Sequence, residues 1–123
     1  MHLYDALKAE RPLKLFVHEH MGKKRFIGKL VSYGGALFYV TRRDVEQTQY
    51  HAYGTFGITD QVIKALHQIH LEERTPVYIA VLEEKTRKVY LSSLWDWLNS
   101  PLKVSWNREV QVHLPLSNMR ITE

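Results

Sequence analysis

Gly57–Leu82 reads GITDQVIKALHQIHLEERTPVYIAVL, and the change of pattern inside it decides the fold class. In its first part Ile58, Val62, Leu66 and Ile69 recur at the spacing of one helical face, and Ile63 and Ala65 widen that stripe. Thr59 or Asp60 is placed to cap the start, so a helix is expected over about residues 59 to 72. The following TPVYIAVL has no such period. It is almost continuously apolar and rich in β-branched residues, as a strand covered on both faces must be. A long amphipathic helix followed directly by a buried strand means an α+β chain with a sheet at its centre.

Upstream, Met1 to Glu10 suits a short helix stopped by Pro12, with Leu3, Ala6 and Leu7 on one side. LKLFVHEH alternates, with Leu13, Leu15 and Val17 on one face and Lys14, Phe16 and His18 on the other. MGKK is a turn, RFIGKLVSY a second strand, and Gly34-Gly35 a tight turn into ALFYVTRR. This predicts a three-stranded antiparallel meander. DVEQTQYHAY after it suits either a fourth strand or a loop, and GTFG suits a tight turn before the helix. Downstream, EEKTRK is a polar hairpin loop with VYLSS as its return strand, and SLWDWLNSP is a short helix opened by Ser92 or Ser93. KVSW and EVQVHLPL complete a largely antiparallel sheet. No repeat or linker interrupts residues 1–123, so one compact domain is expected, packed by one main helix and a short second helix.

The composition, 45% apolar and 24% charged, is that of an ordinary globular protein. The absence of cysteine excludes disulfides, thiolate zinc sites and thiol nucleophiles. No stretch approaches the roughly 18 apolar residues of a membrane span, and the first residues lack a secretory pattern, so a cytoplasmic protein without a membrane partner is expected.

Charge is more informative. The net formal charge is +4, yet Lys23, Lys24, Arg25, Lys29, Arg42 and Arg43 occupy a segment with no acidic residue at all. In an antiparallel meander the first turn and the end of the third strand lie at the same edge, so the two basic clusters are expected to converge. Tyr33, Tyr39, Tyr50 and Tyr53 are interleaved with them. Cations neutralise phosphates and aromatic faces stack on unpaired bases, so this pattern predicts a non-catalytic domain that binds DNA, RNA or another polyanion. Its expected contacts are Lys23, Lys24, Arg25, Lys29, Arg42, Arg43, Tyr50 and Tyr53, with no cofactor.

Two alternatives come from other motifs. Glu83 and Lys85 stand as E-x-K at the end of the strongest strand. That pair resembles the PD-(D/E)xK nucleases, which implies a bound magnesium or manganese, water activation, and a partner aspartate such as Asp60. The segment Ser93–Trp106 carries all three tryptophans; Leu94, Trp95 and Leu98 are expected to face inward, leaving Trp97 or Trp106 to dock a protein partner or a second copy. Of the seven histidines, His18 with His20 and His67 with His70 are spaced to share a face, but neither pair has a third ligand and no resident metal is expected. No nucleophile elbow or phosphate-binding glycine motif is present.

Overall fold

The computed structural model describes residues 2–43, 54–106 and 109–122. Helix α1 (Leu3–Ala9) leads into strands β1 (Lys14–His20), β2 (Lys23–Tyr33) and β3 (Ala36–Arg43). Strand β4 (Thr55–Thr59) runs into α2 (Asp60–Glu73), β5 (Val77–Glu83), β6 (Lys88–Ser93) and α3 (Leu94–Leu98). Strands β7 (Leu102–Trp106) and β8 (Glu109–Pro115), a single 3-10 turn and β9 (Arg120–Thr122) finish the chain. The α+β class and the largely antiparallel main sheet agree with the sequence reading. That sheet runs β1-β2-β3-β5-β6-β9, and a second, three-stranded sheet runs β4-β8-β7.

The N-terminal meander forms as the alternation requires, with Gly34 and Gly35 both at positive φ in the turn between β2 and β3. Strand β5 then enters parallel to β3, from Leu37 opposite Val77 to Arg43 opposite Glu83. A parallel neighbour demands a crossover, and α2 supplies it. Ile79, Ala80, Val81 and Leu82 are all buried, which is why β5 shows no alternation.

Each face of the main sheet has its own core. On one side Leu37, Tyr39, Ile79 and Val81 pack against Val62, Ile63 and Leu66 of α2, Leu94 and Trp97 of α3, and Val112 and Leu114 of β8. On the other, among the described residues, Val31, Phe38, Val40, Ala80, Leu82 and Val89 pack against Tyr4 and Leu7 of α1.

Several local expectations change. GTFG is not a turn: Thr55–Thr59 pairs antiparallel with β8, from Thr55 opposite Pro115 to Thr59 opposite Gln111. Distant β8 offers that segment a ladder which no local pattern reveals. The question of strand or loop over 44–53 lies outside the described residues. Trp97 does not face a partner. It is 1% exposed and its indole N–H donates to Ser92 Oγ at 2.8 Å, while Trp95 is 53% exposed. Ser93 and Asp96 close a reciprocal capping box, and that sets the phase of α3 so that Leu94, Trp97 and Leu98 form its inner face.

Candidate functional site

The register of β2 with its two neighbours shapes the basic edge. Rungs between β2 and β3 stop at Lys29 opposite Val40, whereas rungs between β1 and β2 continue to His20 opposite Lys23. The hairpin therefore runs on as a two-stranded ribbon past its last ladder rung with β3. A β-bulge between Phe16 and Val17 marks where it departs, and Thr41 Oγ1 donates to the bulged Ile27 carbonyl at 2.8 Å. At the tip Met21 and Gly22 both have positive φ, a two-residue turn, and the Met21 side chain is 88% exposed.

Lys23, Lys24 and Arg25 are all exposed on this ribbon. Strand alternation places Lys24 and Phe26 on the α1 side, with Lys23 and Arg25 on the opposite side. There His18, the cross-strand neighbour of Arg25, lies 3.1 Å from Glu109 at the start of β8. Arg42 is exposed and lines a small groove of about 170 Å³ together with Phe26, Lys29 and Lys8. Of the two cations ending β3, Arg42 thus shares a groove with Lys29 and Phe26 on the α1 side, whereas Arg43, Lys23 and Arg25 stand on the other face.

Two of the six cations are engaged within the fold. Lys29 Nζ donates to the carbonyls of Lys8 and Glu10, both at 2.9 Å, and so satisfies the C-terminal end of α1. Burial, and then the nearby Arg42 charge, hold its pKa below the ordinary lysine value, against an opposing pull from Glu10. Arg43 points to the other face of the sheet. Its side chain is only 14% exposed, its Nε lies 3.8 Å from Glu83 Oε2, and its guanidinium rests 5.2 Å from the Tyr90 ring centre. Tyr39 is buried rather than available for stacking, and burial pushes its hydroxyl pKa up. Tyr50 and Tyr53 lie outside the described residues.

The E-x-K pair is divided by its surroundings. Glu83 ends β5 with a side chain 9% exposed, and besides Arg43 it accepts a hydrogen bond from Thr86 Oγ1 at 2.7 Å. Lys85 lies exposed in the β5–β6 turn, and Asp60 pairs with Lys64 at 2.9 Å in the first turn of α2. Among the described residues no three histidine or acidic side chains gather where they can hold a metal ion.

Near the tryptophans, the exposed Trp95 meets the His67 and His70 rings edge-on, at 6.1 and 5.6 Å between centres. His70 Nδ1–H donates to the Thr75 carbonyl at 2.8 Å, so this helix histidine is tied down rather than set out as a ligand. Trp95 also borders an open cleft of about 600 Å³ with Asn99, Leu102, Pro115 and Asn118. The Trp106 side chain is outside the described part; its backbone closes β7 opposite Glu109.

No protein-family model, curated protein or solved structure matches this chain. Its chemistry therefore rests on its own side chains. Sequence reasoning missed Phe26 as an exposed aromatic beside the cations, and it missed the exposed row Leu13, Leu15 and Val17. The signal for that row was present in the alternation of β1; what was missing was which of the two faces the fold would cover.

Proposed function

We propose that this chain is a non-catalytic nucleic-acid-associated domain that presents the β1–β2 ribbon to DNA or RNA. One observation supports this above the others: Lys23, Lys24 and Arg25 are consecutive, exposed, and carried on the part of the hairpin that extends past β3. A two-stranded ribbon fits a major groove about 12 Å wide, and cations on both faces of it reach phosphates on either side of that groove. Arg42 extends the same field towards the sheet, while Lys29 and Arg43 serve the fold instead.

The reading is tested by fluorescence anisotropy with labelled duplex DNA, single-stranded DNA and RNA across a range of salt. Affinity should fall steeply as salt rises, and Lys23→Ala/Lys24→Ala/Arg25→Ala should flatten the logarithmic salt slope by about 2 to 3. Absence of binding to all three at low salt removes the proposal, as does binding that ignores the triple substitution.

The magnesium- or manganese-dependent nuclease reading through Asp60, Glu83 and Lys85 has weaker support, because Glu83 is already engaged by Arg43 and Thr86. A protein partner is the better second reading, for a reason that lies elsewhere on the surface than the tryptophans.

A further inference from the structure

The two faces of the main sheet are unequally covered. A strand occupies about 4.8 Å of sheet width and a helix about 10 Å, so one helix cannot cover a six-stranded sheet. Helix α1 is alone on its side among the described residues, and it lies over β3, β5 and β6 and over Val31 of β2. Among the described residues the β1 edge of that face and the ribbon end of β2 are left open, and apolar side chains stand on them. Leu13 is 65% exposed, Leu15 55%, Val17 52% and Phe26 53%. Leu15 and Val17 share one face of β1 by alternation, Leu13 immediately precedes the strand, and Val17 is the cross-strand neighbour of Phe26. They form one contiguous floor, of the kind that marks a docking surface rather than scattered exposure.

The border of this floor is cationic. Lys24 stands on the same face as Phe26, and Lys8, Lys29 and Arg42 line the groove between the floor and α1. Only Lys8 has a carboxylate within 4 Å among the described residues: Glu84, at 3.9 Å. Burial and then Arg42 act against the charge on Lys29, and Glu10 offsets them only in part. A second copy laid face to face on this surface would bring like charges together; an acidic occupant would neutralise them.

We infer that the open part of this face is a docking site for an acidic amphipathic helix of a partner protein. Its apolar ridge lies on Leu13, Leu15, Val17 and Phe26. One of its carboxylates enters the 170 Å³ groove beside Lys29 and Arg42. The helix takes the place beside α1 that a two-layer sheet ordinarily fills with its own chain. The site shares Lys24 and Arg42 with the nucleic-acid reading and differs from it in the apolar floor, while Lys23 and Arg25 on the far face belong to that reading alone.

The test uses the full chain and two labelled helical peptides with leucine at i, i+3, i+4 and i+7, one flanked by glutamate and the other by lysine. Anisotropy should show the glutamate peptide binding at least about tenfold more tightly than the lysine peptide. Leu15→Ser/Val17→Ser should cost about tenfold and Arg42→Glu about fivefold, with the thermal midpoint kept, while Lys23→Ala/Arg25→Ala on the far face should change affinity less than about twofold. Loss of nucleic-acid affinity in that last variant with peptide affinity intact separates the two readings. The inference is overturned by equal binding of both peptides or by indifference to the Leu15/Val17 pair. It is overturned equally by a sedimenting dimer that the pair abolishes, or by binding to phosphatidylserine vesicles without binding to the peptide.

Discussion

Replacing Gly28 with alanine tests how the ribbon is seated. Gly28 lies opposite Phe16 beside the bulge, and a Cβ built there would be 2.5 Å from Cε2 of Tyr39 and 2.6 Å from its Cζ and hydroxyl oxygen. An ordinary contact needs at least about 3.5 Å, so the ring or the strand must move by about 1 Å. Neither has room. Tyr39 is 2% exposed, its ring meets Phe16 edge-on at 5.2 Å between centres, and its hydroxyl faces the Ile27 carbonyl at 3.5 Å. Overpacking of this kind costs about 1–3 kcal/mol. The lower backbone entropy of alanine recovers less than about 1 kcal/mol. The net expectation is a loss of about 1–2 kcal/mol, or a thermal midpoint lowered by about 3–10 °C for a domain of this size. Urea unfolding of Gly28→Ala, Tyr39→Leu and the double variant supplies the decisive cycle. Tyr39→Leu alone should cost about 2–4 kcal/mol, and on that background Gly28→Ala should cost almost nothing. A single Gly28→Ala within about 0.5 kcal/mol of the parent, or an identical penalty in both backgrounds, refutes the reasoning.

Other expectations follow from the same contacts. Trp97→Phe removes the buried bond to Ser92 as well as ring volume and should cost about 1–3 kcal/mol in urea unfolding, against under about 1 kcal/mol for the exposed Trp95→Phe. Glu83→Gln leaves the mostly buried Arg43 without its counter-charge and should destabilise by about 1–3 kcal/mol, whereas Lys85→Ala should stay within about 0.5 kcal/mol; the reverse order would mean that this pair is not held as described. Lys29 has a folded-state pKa below its ordinary value, so between the two values the unfolded chain binds more protons. Its contribution to stability should therefore rise with pH through that alkaline window. Unfolding free energies measured across it should climb more for the parent than for Lys29→Met; equal slopes would refute the assignment.

What the amino-acid order determined alone is what depends on neighbours a few residues apart. Helical spacing from Val62 to Ile69, the apolar run of β5, the glycine pair at 34 and 35, and the Ser93 cap are all short-range properties, and each appears where its pattern lies. The antiparallel order of β1, β2 and β3 was also legible, because the short turns between them allow no other connection. Tertiary structure decided everything that depends on what arrives from far away. Alternation divides β1 into two faces, but only the packing of Phe16 against Tyr39 says that the Leu13, Leu15 and Val17 face stays open. The spacing within α3 allows either Trp95 or Trp97 inward, and the choice falls to the one whose indole N–H finds Ser92. Sequence charge counts Lys29 and Arg43 equally with Lys24, yet the C-terminal carbonyls of α1 claim the first and Glu83 the second. Strand β4 exists because β8 pairs with it across more than fifty residues. A periodicity reports which side chains share a face; burial is a property of the face's partner, and that partner is chosen by the whole chain.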